Sequence, residues 1–491
     1  MGIIAKQTIK GSVYTYAGAI IGFVNAGLLM PKFLSVEQVG LINLLIALTL
    51  VFSQLGNLGF AGAITRLFPY FRDDKKKHNG ILTLGILISS AGFIISYTVF
   101  VFVRKYLVIS NYEVSSLLSE NIFYIPILSF FVIFFYLLDN YNKVLFDAVT
   151  GTFLREFLVR FLDLILIIAF IFDYVDFNVF VLFYVIIYAL PSVILFFILI
   201  KRKVLYLVRI NSELIISLKH ELIKISLFWI IAGFAGVAVQ AIDKYMTNFY
   251  LGLGASGIYA VSFFFGVLVS LPARPMRKIS SVIIAEAWKK DDRKTISEIY
   301  KKSSINMFLI SVLLVAGIWI NIDNIFEILP KYSEGKYVIL FISLLSMVDM
   351  SSGTAITIIA NSKHYRINAY VMVFTLLMIV ITNVIFINLW GLKGAAFASL
   401  ISISASVFIR FLFLYKKFKF QPYTVKHVII LLIAIISLAI NYLIPKFADF
   451  YIDILIRSSV TAILFSGLIY FFKVSEEVNK TVNRIIKRVK K

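Results

Sequence analysis

The residues best placed to do chemistry are Asp243 and Lys244, adjacent opposite charges inside an apolar run over positions 226–249. An ionisable side chain at membrane depth costs about 2.5–3.5 kcal/mol on insertion scales, so each one invites a functional reading. Successive helical residues point about 100° apart, so the two cannot face one point squarely. A Lys244 turned to a cavity would attract an anionic group, with Asp243 tuning it or coupling a cation. The competing reading is an interhelical ion pair that fixes packing. Asp349, in SMVDMSSGT, is a second intramembrane carboxylate and suits either ion coupling or partnership with a lysine or backbone groups. Arg66 is expected to close the second apolar segment, and Arg274, Arg277 and Lys278 the eighth, at equivalent places. Paired basic rims grip phosphate oxygens well, because arginine donates two parallel hydrogen bonds. They also anchor topology by snorkelling to the interface. Pro272 and Pro275 interrupt the chain beside them, which makes a hinge another reading.

The elements that must hold these residues are membrane helices. Of 491 residues, 60% are hydrophobic and 15% charged, whereas a soluble domain carries about 25% charged residues. Apolar runs of about 20 residues, the length that crosses ~30 Å of hydrocarbon, recur between short polar loops. The expected spans are 12–32, 40–61, 80–102, 121–139, 157–173, 178–200, 226–249, 255–273, 303–322, 336–360, 367–388, 392–414, 427–444 and 452–472. The expected fold class is therefore all-α, a membrane protein of about fourteen transmembrane helices. The basic start, Met1 to Lys10, leads into a full-length apolar stretch with no small-residue cleavage site, so it reads as a retained first helix. The chain has no cysteine, which excludes disulfides, thiol catalysis and thiolate metal sites. His78, His220, His364 and His427 fall in expected loops or helix ends without metal-site spacing. No glycine-rich phosphate loop is present, so neither ATP hydrolysis nor a cofactor is expected.

With the N-terminus in the cytoplasm, the inner loops gather the basic clusters. These are Arg66 to Lys77, Lys201 to Lys203, Arg274 to Lys302, Arg410 to Lys419, and the tail from Lys473 to Lys491. About 38 of the 48 Lys and Arg fall inside and about 7 outside. The net charge of +22 is thus a topology signal, aided by anionic lipid, and no nucleic-acid footprint. Both termini are expected in the cytoplasm, and the tail VNKTVNRIIKRVKK reads as an amphipathic helix on the membrane surface.

A shift of about 217 brings KFLSVEQVGLINLL, from Lys32, onto FYLGLGASGIYAVS, from Phe249, with Gly40 on Gly257. FRDDKKK (Phe71–Lys77) then meets KKDDRK (Lys289–Lys294), and LIKRK meets LYKKF at the ends of spans six and twelve. Six helices per copy, an even number, insert both copies in one orientation. The copies would be related by a pseudo-twofold along the membrane normal with a cavity between them. The expected domains are an N-lobe over 1–215 (helices one to six), a C-lobe over 216–418 (helices seven to twelve), a helix pair over 419–472 and a basic tail over 473–491.

LMPKFLSVEQVGLINLLIALTLVFSQLGNLGFAGAITRLFPYF, Leu29–Phe71, resembles the opening of the polysaccharide and O-antigen flippases of the multidrug/oligosaccharidyl-lipid/polysaccharide (MOP) exporter superfamily. Glu37, Gly40, Gly56, Gly59 and Arg66 occupy matching positions. AIDKYMTNFYLGLGASGIYAVS (Ala241–Ser262) and NLWGLKGAAFAS (Asn388–Ser399) resemble later motifs of that family, and the likeness runs along essentially the whole chain. The resemblance implies a two-lobed transporter of the bacterial cytoplasmic (inner) membrane. It would flip an undecaprenyl-diphosphate-linked oligosaccharide from the cytoplasmic to the outer leaflet, by alternating access, for lipopolysaccharide or other surface polysaccharide biosynthesis. Implied partners are the lipid-linked oligosaccharide, membrane lipids, H+ or Na+ as coupling ion, and neighbouring polymerases and glycosyltransferases.

On this reading Lys244 and Asp243 meet the diphosphate, and the basic rims at Arg66 and at Arg274, Arg277 and Lys278 capture it. Arg457, one to two turns inside helix fourteen, snorkels outward or steers the diphosphate. Asp349 or Asp243 couples the ion. Asn25, Gln54, Asn57, Gln240 and Asn383 contact sugar hydroxyls or bond neighbouring helices. Arg155, Glu156, Arg160 and Asp163 are spaced for structural i,i+3 and i,i+4 pairs. Relatives that flip the peptidoglycan precursor carry dense arginines in the first helix; Asn25 and Lys32 stand there instead, which argues against that substrate. Two other functions stay open. A multidrug or metabolite cation exporter of the same superfamily calls for cavity carboxylates, and a membrane glycosyltransferase or polymer ligase calls for a large outer loop.

Overall fold

The computed structural model describes residues 3–108 and 116–489. Met1, Gly2 and the last two lysines of the expected tail lie outside the described residues. Among those described there is no strand. The first part of the chain forms α1 (Ile3–Phe23), a π-helical turn (Val24–Leu29), α2 (Met30–Phe33), α3 (Val36–Gly56), α4 (Phe60–Phe71), α5 (Ile81–Val108) and α6 (Ser116–Asn121). It continues with α7 (Tyr124–Val144), α8 (Val149–Thr152), a second π-helical turn (Phe153–Leu158), α9 (Val159–Ile171) and α10 (Phe177–Lys201). The second part forms α11 (Ser212–Leu268), α12 (Ala273–Lys289), α13 (Arg293–Ile320), α14 (Ile322–Ile328), α15 (Lys336–Ser351) and α16 (Ala355–Ala360). It ends with α17 (Arg366–Trp390), α18 (Leu392–Phe418), α19 (Val425–Tyr442), α20 (Phe450–Phe471) and α21 (Glu476–Val489). By packing, the chain divides into two compact units, Met1–Ala260 and Val261–Lys491.

Helices begin where the sequence offers a cap. Ser35 accepts from the Gln38 N–H in a capping box, Asp176 from Val179 N–H, and Asp292 from Thr295 N–H. Between caps the residues are too apolar for water. Leu87, Ile94 and Phe102 on α5, Ile186 and Phe197 on α10, Leu377 on α17, Ile435 on α19 and Ile463 on α20 are all exposed. A soluble protein rarely shows such bands; lipid accounts for them.

Eleven helical stretches among the described residues are each long and apolar enough to cross a membrane. Three further spans are hidden by irregular backbone. At 57 residues α11 would run ~85 Å if straight, but Gly252 adopts φ +88°, a conformation open to glycine, and bends it. The Tyr259 hydroxyl donates to Asp243 Oδ2 at 2.9 Å across 16 positions, ~24 Å along a straight helix. So α11 is a hairpin holding spans seven and eight. Span five runs from α8 to α9 through the π-helical turn, where one extra residue is accommodated. Span ten is α15 and α16, interrupted at 352–354. The fourteen expected spans are thereby accounted for in an all-α, multi-pass membrane protein.

The repeat is visible in the helices themselves. Adding 217 to Val149–Ile171 gives 366–388, against α17 at Arg366–Trp390; adding it to Phe177–Lys201 gives 394–418, against α18 at Leu392–Phe418. Gly40 and Gly257, equivalent under the shift, meet. A Cβ on Gly40 would lie 2.3 Å from Leu253 O, and one on Gly257 would lie 2.1 Å from Val36 O. Val36 and Leu253 are also 217 apart, so the contact is reciprocal. Only glycine lets two helix backbones approach this closely.

The basic rims do not close spans two and eight as expected. Gly59, at φ +69°, ends the first helical run and starts a separate helix, so Arg66 sits exposed on α4. The second limb of α11 stops at Leu268, and Pro272 caps α12, which carries Arg274, Arg277 and Lys278. Pro272 marks the break, as its missing N–H and fixed φ require, while Pro275 is accommodated in the first turn of α12, where its N–H would have no helical partner.

The loop after α7 is tied down by Asp147. Its carboxylate accepts from the Val149 and Thr150 N–H groups and the Thr150 hydroxyl, and pairs with Arg202 at 2.7 Å. Burial raises its pKa, but the Thr150 hydrogen bonds, Asn142 and Arg202 outweigh it and hold the carboxyl below the usual range. A depressed native pKa contributes stability above the unfolded value of about 3.9, lost as pH falls through the native one. Asp147→Asn is therefore expected to lower unfolding stability by about 1–2 kcal/mol at pH 7. In thermal melts the gap from the wild type should begin to narrow below about pH 3.9 and go on shrinking as pH falls through the lower native value; a gap that stays constant from pH 7 downward would refute the assignment.

Candidate functional site

The site is built on α3 and on the part of the α11 hairpin before Ala260, all within the first unit. Asp243 and Lys244 diverge as helical geometry demands. Asp243 is buried and turns into the hairpin, where it accepts from Tyr259. Ser256 on the second limb donates to Lys244 O at 3.1 Å, closing the hairpin again at this level. Lys244 turns the other way, and its Nζ donates to Asn43 Oδ1 on α3 at 3.3 Å. Asn43 is oriented in turn, since its Nδ2 donates to Val39 O. An ammonium has three donors, and Asn43 is the one hydrogen-bond partner of the Lys244 ammonium among the described residues. The half-buried side chain thus holds a cation at membrane depth with donors to spare. Such a group can bind an anionic oxygen.

The other expected site residues lie elsewhere. Asn25, on the first π-helical turn, is buried and donates to Arg160 O at 2.8 Å, joining the first helix to α9. Arg66, Arg274 and Lys278 are exposed. Arg277 is not part of an open rim, because its Nη2 donates to Asp349 Oδ2 at 2.8 Å. The expected partner of Asp349, lysine or backbone, is thus an arginine.

Arg457 does not snorkel. Its Nε donates to Asp453 Oδ2 at 2.7 Å, Nη1 to Asn441 and Nη2 to Ile444 O, a network between α19 and α20. The same Asp453 oxygen also accepts from Asn324 Nδ2 at 2.6 Å.

Of the quartet at span five, Glu156 and Arg160 pair at 2.9 Å. Arg155 lies over the Tyr136 ring at 4.7 Å instead, and Asp163 is buried with Oδ1 unpaired among the described residues. Asn57 Oδ1 accepts from Ala61 N–H at the start of α4. Asn43 was not singled out from the sequence, and Arg410 was counted only with the basic cluster of an inner loop, whereas it lies inside a helix. Arg410 is buried in α18, and its place eight residues before the end of an apolar helix was the available signal.

No family model and no curated protein matches this sequence. Among solved structures, the lipid II flippase MurJ in an inward closed conformation superposes with a TM-score of 0.76 at 15% identity, covering 94% of this chain and 98% of that one. An inward-facing MATE family multidrug resistance transporter of the MOP superfamily gives 0.63 at 13% identity, over 83% and 97%. An outward-facing one gives 0.52 at 14% identity, over 83% and 94%. This chain shares their fold. Identity this low carries the architecture and leaves the substrate to the residues themselves.

Proposed function

We propose that the chain is a MOP-type transporter that flips a lipid-linked oligosaccharide, carried on undecaprenyl diphosphate, to the outer leaflet of a bacterial cytoplasmic membrane by alternating access. The observation that carries this reading is Lys244: a half-buried intramembrane cation oriented by Asn43, with ammonium donors left for a ligand. A diphosphate is the chemistry that matches it. A fold shared with a lipid II flippase and the motif resemblance at Leu29–Phe71 support the same conclusion. Tyr259 binds Asp243 and so fixes the counter-charge next in sequence to Lys244. H+ or Na+ would supply the driving force.

The cation-exporter reading draws on a specific feature too, the buried Asp163 with its unpaired oxygen. The two readings separate in a deletion strain. The flippase reading expects lipid-linked glycan to accumulate in the inner leaflet, measured by the access of an impermeant glycan-modifying reagent to spheroplasts. Unchanged outward delivery would sink it, and drug hypersensitivity alone would favour the exporter.

A further inference from the structure

Arg410 is the charge that the transport reading leaves over. The residue is 6% exposed, yet its guanidinium has no hydrogen-bond partner among the described residues, and its Nε is fully buried. The charges that act on it are Asp349, which attracts it, and Arg277, which repels it. Asp349 is already engaged, for Arg277 Nη2 donates to both its Oδ2 (2.8 Å) and its backbone oxygen (3.3 Å). The Nε of Arg277 is likewise buried without a partner. Three helices of the second unit, α12, α15 and α18, therefore bring together two guanidinium groups and one carboxylate, with one positive charge uncompensated.

A buried charge left in this state is strongly disfavoured unless something pairs with it. The cluster is reachable, because the side chains of Arg277 and Asp349 are 26% and 22% exposed while Arg410 lies deeper. Lys416 and Lys417 in the last turn of α18 add to the positive field on that side of Arg410. Planar guanidinium groups match the oxygen spacing of phosphate, and unused Nε donors are the means of binding it.

We propose that Arg410 and Arg277 form a binding site for a phosphate group inside the second unit, with Asp349 as the counter-charge that seats Arg277. The bound group is either an anionic lipid head group or a soluble phosphate. The site involves none of the Lys244 residues and does not depend on the transport reading.

The test uses the full chain in nanodiscs and measures no translocation, so its failure and the failure of the transport reading are separable. In one arm, phosphatidylcholine discs are titrated with pyrophosphate and thermal unfolding is followed. In the other, discs containing phosphatidylglycerol are used, and retained lipid is counted by native mass spectrometry. Arg410→Gln and Arg277→Gln are expected to weaken binding about tenfold or more in the arm that registers it. Asp349→Asn keeps the backbone oxygen and an amide oxygen that seat Arg277 and removes the competing negative charge, so it should tighten binding severalfold; Arg410→Lys should keep part of it. Binding by pyrophosphate alone identifies a soluble phosphate; binding by phosphatidylglycerol alone identifies a lipid head group. Equal binding by wild type and Arg410→Gln in both arms overturns the site. Weakening by Asp349→Asn does so too. If Arg410→Gln is not monodisperse, the opposed directions expected of Asp349→Asn and Arg410→Lys decide the matter.

Discussion

Replacing Lys244 with Gln is expected to cut outward delivery of lipid-linked glycan by about 10- to 100-fold at normal protein levels. The range follows from losing one charge-assisted hydrogen bond, about 1.5–3 kcal/mol, with about 1.4 kcal/mol for each tenfold. Gln is one bond shorter than Lys and uncharged but still presents an amide N–H toward Asn43, so at normal protein levels a helix-packing role alone would leave delivery nearly intact. Lys244→Arg should retain much of it, and Asn43→Ala should fall between, since it frees Lys244 without removing it. Export by Lys244→Gln at the wild-type rate would end the assignment of this residue.

The second large effect is expected at Arg457. Its partner Asp453 is 1% exposed at the side chain, and every arm of the guanidinium is engaged. Arg457→Met strands a buried carboxylate, which typically costs about 3–5 kcal/mol. The double replacement Asp453→Leu with Arg457→Met should recover most of that loss, because an apolar pair of similar volume often does as well as a buried ion pair. Unfolding of the purified protein in one detergent would read both. A stable single variant that loses transport would instead make Arg457 a ligand for substrate, against the saturation of its donors.

Much of the architecture was legible because the membrane allows few solutions. Runs of about 20 apolar residues gave the spans, and the matched positions of Gly40 and Gly257 revealed the repeat. What escaped was local or distant. The end of α3 before Gly59 was hidden because FAGAITRLF is as apolar as the helix it follows, so Arg66 was assigned to the wrong helix. Arg457 and Asp453 stand four residues apart, a spacing that a search for i,i+4 pairs would have found. Arg277 and Asp349 are 72 positions apart, and no local pattern foretells their pairing. Asn43 was invisible for the same reason, since nothing in the sequence near it points to residue 244. Divergence of Asp243 and Lys244, by contrast, followed from helical geometry alone.

The glycine contact between α3 and the second limb of α11 has a consequence for the history of the chain. Residue 40 touches the turn that begins at 253, and residue 257 touches the turn that begins at 36, so each side offers the other the same surface. Between separate molecules this would be an isologous interface, the kind that a twofold homodimer makes. Joined in one polypeptide, the two surfaces no longer need to stay identical. A substitution at 40 alters one half of the contact, whereas in a dimer of half-length chains it would strike both halves at once. That release is what allows only one copy to carry Lys244 while its counterpart, 217 residues earlier, is the apolar Gly27.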